Sequence, residues 1–173
     1  MKNILAFGIG VFLLASCSHV KLDKKEAAEV IRTTHEYPKP LEYDVNLTDP
    51  ASATRLLNAG FEEDGLVTID KTQKIKDIGK PIVHFTEKAK PYLIRIDPKY
   101  KNVQIVKLAD TDLGEITGIN VLEDKKSATV EYTIVHKNIT PFSKLIQHDL
   151  SKPQVKRANL SLFDSGWKLD KAW

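Results

Sequence analysis

The chain has 173 residues, 42% hydrophobic and 28% charged, and its 26 basic against 23 acidic side chains leave a formal charge of +3. Such proportions belong to an ordinary folded chain and exclude a disordered or collagen-like one, and the small, dispersed basic excess excludes a nucleic-acid footprint. Cys17 is the single cysteine, so no intramolecular disulfide can form.

The first segment reads as an export signal. Lys2 supplies a positive start, Ile4 to Ala15 is apolar with only Gly8 and Gly10 for relief, and the small residues Ala15 and Ser16 precede Cys17. That order is the layout of a secretory signal peptide, and its apolar run is shorter than the roughly 20 residues that span a bilayer. Leu14-Ala15-Ser16-Cys17 resembles the lipobox of bacterial lipoproteins. The resemblance implies cleavage before Cys17 and a diacylglyceryl group on its sulfur, where a thiolate is the nucleophile. Two acyl chains make a durable anchor where one does not. Ser18 after the cysteine implies sorting to the outer membrane, with the domain facing the periplasm. The expected division is a signal peptide at 1–16, a lipidated cysteine and tether at 17–25, and a single α+β domain at 26–173. Lys21, Lys24 and Lys25 would add attraction to anionic headgroups.

Asp23 followed by Glu26 is a capping-box pair, and Ala27, Val30, Ile31 and Thr34 recur at helical spacing, which predicts a helix near 24–35. Tyr37-Pro38-Lys39-Pro40 ends it, and Leu41–Leu47 reads as an edge strand. Thr48-Asp49-Pro50 opens a second helix with a capping side chain and an early proline. Ala53, Leu56 and Leu57 make its apolar face, and Gly60 sits past its end. Short strands follow at Leu66–Ile69, Ile82–Phe85 and Tyr92–Ile96, with Thr86 expected to cap a turn of helix over Glu87–Lys90.

The C-terminal half is β-rich. Val103–Leu108 and Gly114–Leu122 read as two separate strands, Gly118 marking a bulge or close approach in the latter. Asp124-Lys125-Lys126-Ser127 is a hairpin turn. Ala128, Val130, Tyr132 and Ile134 then alternate with Thr129, Glu131 and Thr133, the period of a sheet with one buried face. Thr140-Pro141 starts a short helix with Phe142, Leu145 and Ile146. Val155–Phe163, with Ala158, Leu160 and Leu162 inward, and Trp167–Leu169 close the sheet.

Helices first and strands afterwards predict an α+β domain, its N-terminal helices packed on a curved antiparallel C-terminal sheet of four or more strands. The strand ending in Leu162-Phe163, the Asp164-Ser165-Gly166 turn and Trp167 resemble the cystatin-like and nuclear-transport-factor-2-like group of domains. Leu56 to Phe61, Leu66 to Ile69 and Phe85 to Lys88 resemble the end of a winged-helix domain. Ala89 stands where that pattern has glycine, however, and no helix pair with a basic recognition face precedes it. The competing expectation is a helix and hairpin covering one edge of the sheet.

Candidate chemistry is sparse. His19, His35, His84, His136 and His148 are scattered without ligand spacing, and Ser127, Ser143 and Ser165 lack a nucleophile elbow. The dispersed glycines form no phosphate loop, so no cofactor is expected. Glu115, Glu131 and His136 could form an acid–base set in a cleft, or stand as charged groups on an open sheet face. Tyr132, Phe142 and Trp167 are the candidates for a pocket wall between sheet and helices. The leading expectation is a lipid-anchored, non-enzymatic module binding a partner protein or small ligand. Its competitors are an envelope hydrolase using the Glu/His set, and a structural subunit of a membrane complex with an exposed apolar patch.

Overall fold

The computed structural model describes residues 21–170. The export segment with Cys17, and His19, lie outside them. Helix α1 (Lys24–Thr34) begins where the Asp23 carboxylate accepts a hydrogen bond from the Glu26 amide at 2.8 Å, satisfying one of the four donors a helix start leaves open. Helix α2 (Pro50–Asn58) begins likewise. Asp49 accepts from the amides of Ala51 and Ser52, and proline occupies the first turn, where its missing N–H costs nothing. At the far end Gly60, at φ +78°, lets Phe61 N–H reach the Leu56 carbonyl and Gly60 N–H that of Leu57. This paired closure turns the chain so that Phe61 packs back with Leu56. Leu57, read as part of the apolar face, is exposed.

Strands β1 (Lys39–Asn46), β4 (Leu93–Ile96), β5 (Val103–Val121), β6 (Ser127–Lys137), β7 (Gln154–Phe163) and β8 (Gly166–Leu169) form one antiparallel sheet in the order β1-β5-β6-β7-β8. The fold is α+β. β4 joins the same edge of β5 as β6, end to end with it, because β1 holds the opposite edge over Val103–Thr111. β2 (Val67–Ile69) and β3 (Val83–Phe85) make a separate hairpin.

The two strands expected at 103–108 and 114–122 are one strand of 19 residues. Asp110 and Asp112 lie between the two expected strands; they alternate with Ala109, Thr111 and Leu113 and point to the open face. There Lys107 pairs with Asp110 and Lys137 with Asp112. Extra residues in β5 near Leu108, between Leu113 and Ile116, and between Ile116 and Gly118 bulge the strand. Bulges bend a strand and add twist, and each returns the apolar residues to one face. Cross-strand partners share a face, so Val45, Val106, Ala109, Leu113, Ile116, Tyr132 and Val130 all lie on the same side.

That side carries two cores in line. The first gathers Val45, Leu56, Phe61, Val67, Val83, Val106 and Phe142 under α2 and the β2–β3 hairpin. The second gathers Ala27 and Ile31 of α1 with Leu113, Ile116, Val130, Tyr132, Leu160 and Trp167. α1 packs against both β5 and β8, at opposite sides of this half of the sheet. The sheet therefore curls around it. α2 and the β2–β3 hairpin serve as the cover of the sheet's first half, the arrangement set against the winged-helix resemblance. The 3₁₀ turn Glu87–Tyr92 is not capped by Thr86, whose hydroxyl instead donates to the Gly65 carbonyl at 2.7 Å and ties the hairpin to that turn.

Candidate functional site

The three aromatic residues expected to share a pocket wall fall in different places. Phe142 is fully buried in the first core, stacked on Phe61 at 5.0 Å and edge-on to Phe85 and Tyr92. Thr140 puts it there: its hydroxyl oxygen accepts from the Phe142 amide and donates to the Lys107 carbonyl. Tyr132 and Trp167 belong to the second core. Burial raises the Tyr132 phenol above its usual range, with Tyr37 adding to the shift, so it stays protonated. Of the three, Trp167 borders an open hollow.

That hollow is a groove of about 560 Å³ between α1 and β8. Glu26, Glu29, Val30 and Thr33 present one helical stripe to it, and Trp167 and Leu169 form the facing wall. The stripe flanks Ala27 and Ile31, which are buried beneath it. Pairing with Leu162 and Leu160 sets Trp167 and Leu169 on the core side of the sheet, while Lys168, opposite Ser161, faces away. Among the described residues β8 has a strand neighbour only in β7. The helix wall is acidic: partial burial, then the Asp23 and Glu29 carboxylates, raise the Glu26 carboxyl above the usual carboxylate range. The groove was not legible in the sequence, because polar helix residues and a strand more than 130 positions later build it.

The acid–base set is not assembled. Side chains alternate along β6, which sends Glu131 to the open face and His136 to the core face. Glu131 is engaged by Arg157 at 3.0 Å and by the Thr117 hydroxyl, and Glu115 is exposed on β5. Burial first, then the charges of His148 and Lys156, lower the His136 pKa, and its Nδ1 is buried without a hydrogen-bond partner. No carboxylate is among the groups that shift it, so none orients it as a general base would need. His84 does meet Asp70, at 3.1 Å, but both are half exposed and no serine or cysteine lines the hollow beside them. His35 lies against the Tyr37 ring. The Ser127 hydroxyl donates to Asp124 within the hairpin turn, Ser143 sits in the 3₁₀ turn Pro141–Leu145, and Ser165 lies in the β7–β8 turn. No group of three potential metal ligands occurs among the described residues.

The open face is an array of ion pairs. Arg95 forms two hydrogen bonds to Glu42, reaching from β4 to β1 across β5, over the buried Ile105. The hydrogen bond from Lys137 depresses the Asp112 pKa, and those from Lys107 and Asn138 depress that of Asp110. A depressed carboxyl contributes stability above its unfolded pKa and loses it as pH falls through the folded one. We therefore expect the carboxylate share of the stability to hold from neutrality down to about pH 4 and to be lost below it. This comes on top of an earlier decline, below the ordinary histidine range, from the partly buried His136. Asp112→Asn should be less stable at neutral pH and show a shallower acid decline. A parallel decline in both proteins, followed by circular dichroism, would assign the acid loss elsewhere.

No family model matches this chain, and neither a curated protein nor a solved structure matches it.

Proposed function

We propose that this is a lipid-anchored cell-envelope protein, tethered through Cys17 to the outer membrane and facing the periplasm, whose domain holds an extended segment of a partner protein in the groove between α1 and β8. The observation carrying this reading is a strand with one neighbour beside a groove backed by a helix. An extended peptide added to such a strand gains main-chain hydrogen bonds, and every second side chain enters the groove, where specificity is set. Glu26 and Glu29 on the helix wall favour a segment with Lys or Arg at one of those alternate positions. Trp167, buried in the second core, backs the groove and fixes its wall. Dispersed open-face ion pairs and an unassembled Glu/His set give an enzyme reading no comparable support.

The test is site-specific photocrosslinking in intact cells. A benzoylphenylalanine at Thr33, exposed on the groove stripe, should capture one extended, basic segment. The same group at Asn159 on the open face should not. Glu29→Trp, one turn earlier on the same stripe and exposed, should abolish the Thr33 adduct by filling the groove without entering the core. Adducts of equal yield from both positions, or none from Thr33, would sink the groove reading. Independently, Cys17→Ala should release the chain from the membrane fraction or leave its leader uncut, and an unchanged mass and fraction would refute the anchor.

A further inference from the structure

The segment between β2 and β3 serves neither core nor groove. Residues 70–81 carry Ile75 at 89% and Ile78 at 73% exposure, the most exposed of the large apolar side chains among the described residues. Ile75 opens a 3₁₀ turn, Ile75–Asp77, and Ile78 follows it. A 3₁₀ turn has three residues per turn, so the two isoleucines project on the same side. The loop does not expose them by being slack: the Gln73 side-chain amide braces it from inside, donating to the Asp77 carbonyl at 3.0 Å and the Lys80 carbonyl at 3.1 Å.

Around these isoleucines stand Lys71, Lys74, Lys76 and Lys80, against Asp70 and Asp77. Lys80 is bound to Asp77 at 2.6 Å, Lys71 leans to Glu62 at 3.4 Å, and Asp70 is turned to His84. Lys74 and Lys76 have no ion pair among the described residues. Both line an open hollow of about 750 Å³, together with Lys80 and the carboxylates Asp70 and Asp77, which are engaged by His84 and Lys80. Two apolar side chains at a tip, with these two unpaired lysines beside them, match the layering of a bilayer surface. Carbon meets the acyl boundary, and ammonium meets phosphate.

We propose that this loop is a second membrane contact: Ile75 and Ile78 enter the interface of an anionic bilayer while Lys74 and Lys76 hold phospholipid headgroups. Having a bilayer within reach rests on the lipid-anchor reading above. The tether enters at α1, over the second core, whereas the loop leaves the hairpin that covers the first. The two contacts therefore sit toward opposite ends of β5, which at about 3.3 Å per residue would be some 60 Å long if straight. Engaged together, they lay the domain along the membrane, not upright on its tether.

The acylated full chain, reconstituted in phosphatidylethanolamine–phosphatidylglycerol vesicles, tests this with a nitroxide at Ile78→Cys, since lipid occupies the native thiol. Collision with dissolved oxygen against a water-soluble nickel chelate should place the label within the interface, and a label at Asn159→Cys should report water. A water-exposed label on a chain that still floats with the vesicles overturns the loop contact and leaves the anchor intact. A chain that fails to float overturns the anchor alone, and a second arm then decides for the loop. In it the chain from Ser18, which keeps all of both cores, is titrated with the same vesicles. Binding should fall about tenfold or more for Ile75→Ala with Ile78→Ala, and about fivefold for each of Lys74→Ala and Lys76→Ala at low salt. Unchanged binding in the double variant, or equal binding to pure phosphatidylcholine vesicles, overturns the proposal.

Discussion

Phe142→Ala is expected to destabilise the domain by about 3–5 kcal/mol, read as a lower denaturant midpoint at an unchanged slope. The ring is fully buried and touches three other rings, from the α2 exit (Phe61), β3 (Phe85) and the 3₁₀ turn before β4 (Tyr92). Removing it takes away the transferred apolar area and leaves a cavity that these elements, each fixed by its own backbone bonds, can close only in part. Phe61 reaches the contact through the Gly60 closure, and Phe142 through the Thr140 hydroxyl, so neither ring can follow the void without breaking a local bond. Phe142→Leu keeps most of the volume and should cost less than half as much. Equal losses for Leu and Ala would mean that ring–ring geometry, not volume, dominates. A loss under about 1 kcal/mol for Ala would mean that the first core collapses freely.

Whether a feature could be read from the sequence followed how far its cause lies along the chain. Asp23 with Glu26 and Asp49 with Pro50 fix helix starts through atoms two or three residues apart, and Gly60 fixes an end in the same way. All three were legible. So was β6, whose alternation from Ala128 to Ile134 records one buried face. β5 was read as two strands, at 103–108 and 114–122, because Asp110 and Asp112 fall between them; the partner of Asp112, Lys137, comes from the next strand, and Asp110 is paired to Lys107. Thr86 has the chemistry of a cap, but the Gly65 carbonyl across the hairpin outcompetes the turn for its hydroxyl. At the site level, Tyr132, Phe142 and Trp167 are equally aromatic on paper. Only the fold sends Phe142 to one core and the other two to the second. The groove lay hidden because its helix wall, Glu26 to Thr33, reads as the solvated side of an amphipathic helix. Glu131 and His136 stand five residues apart in a regular strand, and that odd spacing already places them on opposite faces.

Glycine shows the same limit and supplies the second large effect. Gly118 was read as a bulge or a close approach: the register does shift between Ile116 and Gly118, yet a Cβ there would meet only the Glu131 Cβ at an ordinary 3.7 Å. The close approach is at Gly114, where a Cβ would lie 2.4 Å from Thr133 Oγ1 and 3.2 Å from both the Thr133 carbonyl and Val135 Cγ1. The Thr133 hydroxyl cannot swing aside freely, since it accepts the Glu115 amide at 3.0 Å and its side chain is β-branched. Gly114→Ala should therefore cost about 1–3 kcal/mol, the usual range for overpacking. The bulge between Leu113 and Ile116 should loosen first, visible as faster amide exchange at Leu113 and Ile134 than at Val106. Thr133→Ala removes the nearest atom and leaves the Glu115 amide, which is exposed, to water. Alone it should cost little, and combined with Gly114→Ala it should recover most of the loss as a coupling between the two sites. Thr133→Val keeps a carbon where the oxygen was and should give no rescue. If Thr133→Ala gave no rescue either, the penalty would have to come from the fixed carbonyl and Val135 contacts, and the bend of β5 at Gly114 would not depend on room beside the Thr133 hydroxyl.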